Sequence, residues 1–146
     1  MIASPKNQAC PKKYLPFCYA MEQMELEYVK IYYKAPIIHM AFKEGAELGI
    51  PEIRQLITYS EVLSKKNPYV TLSDVRVNMD VTHEGRRLTL NTKEAPFHRG
   101  SAIVVKNGLY QYAATLFSKF DKPAFPYRVF TNEHEARNWL LQIPLI

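Results

Sequence analysis

The chain has 146 residues, a hydrophobic share of 47 %, a charged share of 23 % and a formal net charge of +5. That is the length of one domain able to bury roughly 68–70 % of its surface, with the composition of a soluble globular protein. No run approaches the roughly 20 apolar residues that cross a bilayer as a helix, so a membrane-spanning helix is excluded.

Residues 1–23 are rich in Pro, Lys and polar groups and carry no sustained periodicity, which predicts a poorly ordered N-terminal extension. Lys6, Lys12 and Lys13 stand against Glu22 alone. The patch LPFCYAM is interrupted by Pro16 and lacks a small-residue cleavage site, so it does not read as a signal peptide and a cytoplasmic location is expected. Cys10 and Cys18 have no further Cys or His near them before His39, so they read as incidental thiols, with no metal site expected.

From Met24 to Ile146 the punctuation is regular and predicts a single domain. LEYVKIYYK and PIIHMAFK are runs of β-branched and aromatic residues separated by Ala35-Pro36, a hairpin pattern. GIPEIRQLITYSEVLSKKN reads as a helix, with Pro51 in its first turn and Ile53, Leu56, Ile57, Ser60 and Leu63 on one face. Lys65 and Lys66 are expected in its last turn, facing the negative end of the dipole, and Asn67-Pro68 stops it. PYVTLSDV is a strand. In VTHEGRRLTLNTKEAP, Thr82 could cap a helix, Gly85 weakens it, and LTL alternates like a strand. SAIVV is a short apolar run suited to a strand covered on both faces.

GLYQYAATLFSKFD places Leu109, Tyr112, Ala113, Leu116, Phe117 and Phe120 on one stripe, an amphipathic helix. Its outward face, including Tyr110, Gln111, Ala114 and Lys119, carries little charge and is a candidate interaction surface. PYRVF is another strand. Asn132 is an N-cap with Glu135 three positions on. Ala136, Trp139, Leu140 and Ile143 form the apolar stripe of a last helix, with Trp139 as its expected anchor. The order β-β-α-β-(α)-β-α-β-α asks for an α/β fold with a mixed sheet.

The run KPAFPYRVFTNEHEARNWL from Lys122 to Leu140, together with Pro68-Tyr69 leading into LSDVR, resembles the STAS-like group of small bacterial proteins. That group is related in fold to anti-sigma-factor antagonists, and the likeness is to its Bacteroidetes-type version. The resemblance spans about residues 24–141. It implies a four- or five-stranded sheet backed by helices on one side, and a non-catalytic regulatory or protein-interaction module. In true antagonists a phosphorylated Ser sits within Asp-Ser-Ser/Thr-Gly. That signature is missing here, and Thr82 is the one hydroxyl at a plausible helix start, a weak phosphoacceptor candidate whose favoured reading is a plain N-cap.

The chemistry-bearing residues form no catalytic motif. There is no phosphate-binding Gly loop, G-x-S-x-G, H-E-x-x-H or C-x-x-C, so neither an enzyme nor a cofactor is expected. His39 is opposite in phase to Ile38, Met40 and Phe42 and is expected to face outward; His98 is expected in a loop. Asp74 and Arg76, at the carboxyl end of a strand, are weak ligand-binding candidates, because open α/β sheets bind ligands there; the favoured reading is a helix-capping or ion-pair role for Asp74, with Arg76 solvated. The positive charge between residues 82 and 128 favours an anionic partner, but it is dispersed and no nucleic-acid-reading motif accompanies it, so no nucleic-acid partner is expected. Two functions therefore stand: an interaction module acting through a protein partner or self-association, and a carrier of a small ligand such as a nucleotide or lipid.

Overall fold

The computed structural model describes residues 23–89, 91, 93–106 and 125–146. The helix expected at Gly108 to Phe120, with Tyr110, Gln111, Ala114 and Lys119, lies outside the described residues, as does the N-terminal extension up to residue 22.

Strands β1 (Gln23–Glu25), β2 (Val29–Lys34) and β3 (Ile37–Phe42) form an antiparallel meander, with Ala35-Pro36 as the turn between β2 and β3. Gln23, expected in the extension, opposes Tyr32 in this ladder. Beyond β3 the pairing turns parallel, through β5 (Tyr69–Asp74), β7 (His98–Val104) and β8 (Tyr127–Phe130). The sheet order is β1-β2-β3-β5-β7-β8. A separate parallel ribbon pairs β4 (Ala46–Leu48) with β6 (Met79–Val81).

Three helices are described: α1 (Ile50–Ser64), α2 (His83–Thr89) and α3 (Glu133–Leu140). They cover both faces of the sheet, which corrects the expected arrangement of four or five strands with helices on one side. The reason is visible in the strand period. On β3, Ile38, Met40 and Phe42 join the core that packs Ile53, Leu56 and Leu63 of α1. On the opposite face, Ile37, Val70, Leu72, Ala102 and Val104 pack Ala136 and Leu140 of α3. Successive side chains point to opposite sides, so central strands that bury residues of both phases, Ile37 with Ile38 on β3 and Val70 with Thr71 on β5, need cover on both.

Local signals explain the helix ends. Asn132 Oδ1 accepts the Glu135 N–H at 3.0 Å, as the capping pattern predicts. At α1 there is no capping side chain, and the Gly49 N–H instead donates to Glu52 Oε1 at 2.8 Å. Lys65 and Lys66 are not in the last turn of α1. Both lie past it in the left-handed region, with φ of 56° and 58°, and the Lys66 N–H donates back to Glu61 O. A helix ending this way wants glycine, because a Cβ in that conformation costs roughly 1–2 kcal/mol. The uncertain segment at 83–89 is helical throughout. Its Gly85 is buried, and a Cβ there would stand 3.2 Å from the Leu48 carbonyl. The glycine thus lets α2 lie against β4.

Trp139 is half-buried and tilts against Phe130 at 5.7 Å, whereas Ala136 and Leu140 are fully enclosed. The anchor of α3 is Leu140, one residue past the expected Trp. Leu140→Ala should therefore lower stability by about 2–5 kcal/mol in urea melts, and Trp139→Ala by less. Lys66→Gly should raise stability by about 0.5–1 kcal/mol, by relieving the left-handed strain.

Candidate functional site

Among the described residues, the α1 face of the sheet leaves a space open. Met40 of β3, Ser73 of β5 with Val75 just beyond it, and Ile103 of β7 form the floor of a cavity of about 350 Å³, walled by Ile53, Leu56 and Ile57 of α1. The far wall is the arm that carries β6 and α2, through Val77, Met79 and Val81. Three local ties hold that arm out from the sheet. Asn78 donates its backbone N–H and its side-chain amide to the Glu44 carboxylate, at 3.0 and 2.7 Å. The Thr82 N–H donates to Leu48 O at 2.9 Å, and the Gly45 N–H to Asn78 O at 2.7 Å. A volume of this size is typical of small-molecule sites, as is a mostly apolar lining with a few polar groups.

One polar group is there because of a register shift. Tyr69 pairs with His98 and Thr71 with Ser101, so three steps along β7 match two along β5. The extra residue is a β-bulge at Arg99–Gly100, and a bulge re-aims the side chains before it. Gly100 itself packs under Ile143, whose Cδ1 would stand 2.6 Å from an added Cβ. Without the bulge His98 would share the phase of Gly100, Ala102 and Val104 and face α3. With it, His98 lines the cavity, stacked on Tyr69 at 5.4 Å and against Phe125 at 4.4 Å.

His98 Nε2 lies 2.8 Å from Gly100 O and 3.0 Å from Thr71 Oγ1. A carbonyl only accepts, so Nε2 carries the proton and donates to it. The Thr71 hydroxyl reaches Ser101 Oγ at 3.1 Å. Burial lowers the His98 pKa to about 4, reinforced by Arg99 and opposed by the Gly100 hydrogen bond. The ring is neutral at pH 7, and its Nε2 proton is already engaged.

Arg86 of α2 is half-buried and also lines the cavity. No carboxylate among the described residues pairs with it, in contrast to Arg54, Arg76 and Arg137.

The residues singled out in the sequence lie elsewhere. Asp74 and Arg76 come together, but with each other: Arg76 grips the Asp74 carboxylate through Nε at 2.9 Å and Nη2 at 2.7 Å. Burial pushes the Asp74 carboxyl up, and hydrogen bonds from the Arg76 side chain and backbone outweigh it, holding the group below the usual range. Asp74 has the phase of Val70 and Leu72, so the pair sits on the α3 face, where Arg76 also approaches Glu133 at 3.9 Å. Neither residue lines the cavity. The Thr82 hydroxyl accepts the Gly85 N–H at 3.0 Å, the geometry of an N-cap for α2.

His39 is not outward. It is 3 % exposed and stacked on Tyr32 at 4.3 Å, with neither ring nitrogen hydrogen-bonded among the described residues. The face opposite Ile38 and Met40 is covered rather than wet, which the alternation alone could not reveal. His98 stands at the start of β7 rather than in a loop. Its role, with Thr71, Ser101 and Arg86, was missed; the signal that could have found it is the glycine inside HRGSAIVV, since Gly within a strand pattern marks a bulge. Among the described residues no group of His, Cys, Asp and Glu is placed to hold a metal, and no described helix is long and apolar enough to cross a membrane.

Comparison with known proteins adds a family and a fold. The family model described as a domain of unknown function, DUF7793, matches residues 31–144. An uncharacterized protein of the DUF3478 family from Shewanella loihica PV-4, whose crystal structure has a SpoIIAA-like fold, superposes with a TM-score of 0.50 at 20 % identity. The match covers 77 % of this chain and 91 % of that one. No curated protein matches. The fold is therefore SpoIIAA-like, the STAS-like architecture that the sequence resembles.

The two buried histidines make stability depend on pH. Burial lowers the His39 pKa to about 4, with Arg137 and Lys34 adding to it and Glu133 opposing. Both rings thus bind protons less readily when folded than when unfolded, where the pKa is near 6.5. Stability should be intact above about pH 6.5 and fall as pH drops towards 4. His39→Phe, which keeps a ring on Tyr32, should retain about 1–3 kcal/mol more of its neutral-pH stability at about pH 4.5 than the wild type does, measured by urea melts.

Proposed function

The chain belongs to the DUF7793 family, and on that premise we propose that this STAS-like domain is a non-catalytic module that takes a small, largely apolar ligand into the cavity between α1, the sheet and the α2 arm. One observation carries the reading: the described residues leave about 350 Å³ open on a sheet face whose opposite side packs against α3. Apolar surface held away from a packed core forgoes roughly 25 cal/mol per Å² of burial, and a ligand that fills the space recovers it.

The polar floor supports the non-catalytic reading. A hydrolytic base must be free to take a proton from its nucleophile, within hydrogen-bond reach. His98 Nε2 is beside the Thr71 hydroxyl, yet it is protonated and donates to Gly100 O. The arrangement holds a ring in place; it does not activate a hydroxyl. A regulatory role, as STAS-like resemblance implies, would then couple occupancy of the cavity to a protein contact. Fold likeness does not assign that partner.

The test uses a neutral apolar dye, N-phenylnaphthylamine, whose fluorescence rises on leaving water. The wild type should bind about one equivalent, and native mass spectrometry of freshly purified protein should show a small co-purified molecule. Ser73→Phe, which fills the floor, should keep the melting temperature within a few degrees and lose dye binding at least tenfold. A wild type that binds no dye, or a Ser73→Phe variant that binds it unchanged, would overturn the reading; a stable protein complex recovered with an empty cavity would favour a purely protein-interaction role.

A further inference from the structure

We propose that the cavity is built for an amphiphile with a single anionic head, a medium-chain monocarboxylate, whose tail lies on the apolar floor and whose carboxylate meets Arg86. The inference rests on the reading of the cavity as a ligand site and adds the class of ligand.

The first argument is charge. Three ionisable side chains line the cavity among the described residues, Tyr69, His98 and Arg86; burial raises the Tyr69 pKa, so the phenol stays neutral. His98 is neutral at pH 7 and hydrogen-bonded within the floor. Arg86 remains cationic at any working pH, is half-buried, and lacks the carboxylate partner that Arg54, Arg76 and Arg137 each have. A guanidinium beside apolar surface with no counter-charge is completed by an anion, and its planar fork matches a carboxylate through two hydrogen bonds.

The second argument is position. Arg86 lies on α2, at the arm, while Met40, Leu56 and Ile103 line the space from the sheet and α1. Charge at one wall and hydrocarbon at the others is the distribution of an amphiphile. A neutral lipid would leave Arg86 unpaired, and a nucleotide would bring several charges to one cation and a polar sugar to apolar walls. A single cation fits a single negative charge.

Displacement of N-phenylnaphthylamine by three molecules of one chain length tests this: decanoate, decanol and decyltrimethylammonium. On the wild type at neutral pH, decanoate should displace the dye most tightly and the ammonium least. Arg86→Gln should weaken decanoate about tenfold, the scale of a charge-assisted hydrogen bond, and leave decanol and the dye unchanged; Arg86→Lys should recover part of the loss. Decanol binding as tightly as decanoate to the wild type, or an equal loss of both in Arg86→Gln, would overturn the proposal while leaving the cavity a ligand site. The head-group series on the wild type decides the matter even if Arg86→Gln fails to fold. No dye binding by the wild type means that the chain itself fills the cavity, which removes the proposed function and this inference together.

Discussion

Parallel pairing of β3, β5 and β7 is the constraint that the rest of the molecule answers to. A parallel strand reaches its neighbour only by a crossover, and the crossovers from β3 to β5 and from β5 to β7 bring α1 and α2 to the sheet. Strands flanked by partners on both edges and apolar at successive positions then require a second layer, which α3 supplies. The result is two cores that share one sheet, divided by the two-residue period of each strand. Nearly every local feature follows from that division: the phase of Asp74, the burial of His39, and the value of one bulge that moves a single histidine from one core to the other.

The two cores are not equivalent. On the α3 side small and large residues interlock, with Ala102, Val104, Ala136 and Leu140 all fully enclosed. On the α1 side the wall is partly an arm, β6 and α2, held by hydrogen bonds from Asn78 and Thr82 and by the close approach at Gly85. An arm fixed by polar ties can stand off from the sheet, whereas a helix drawn down by burial alone would collapse onto it. The cavity is thus a product of how that wall is fastened. The SpoIIAA-like neighbour shares the architecture at 20 % identity, too distant to carry a ligand across, so the chemistry rests on this chain's own side chains.

The elements with strong local signals were legible in the sequence: the hairpin through Ala35-Pro36, α1 behind Pro51, and α3 behind Asn132. Each depends on neighbours within a few residues, where capping, turn chemistry and periodicity act. What could not be read depends on distant contacts. The outward placement of His39 assumed that a strand has one wet face, whereas Ile37, in the same phase, packs into the α3-side core and His39 is buried beside it. Lys65 and Lys66 do not face the dipole from the last turn because α1 ends at Ser64, two residues before the end that the Asn67-Pro68 stop implied, in a left-handed turn. The candidate site was the least legible part. Asp74 and Arg76 were chosen for their place at a strand end, but a side chain's face outweighs its height along the strand, and theirs is the closed one. Thr71, His98, Ser101 and Arg86 belong to three separate elements, and no spacing within the chain announces that they meet.

The shared sheet has a consequence for how the molecule breathes. Amide protons exchange through local openings whose free energies vary from one cooperative unit to the next. The α3 layer is tied down by enclosed side chains and, at its first turn, by the run of charges from Asp74 through Arg76 to Glu133 and Arg137. The arm is tied by a handful of exposed or half-exposed hydrogen bonds. Openings of the arm are therefore expected at lower free energy than openings of α3. The sheet thus separates a layer held by enclosed side chains from one held by hydrogen bonds.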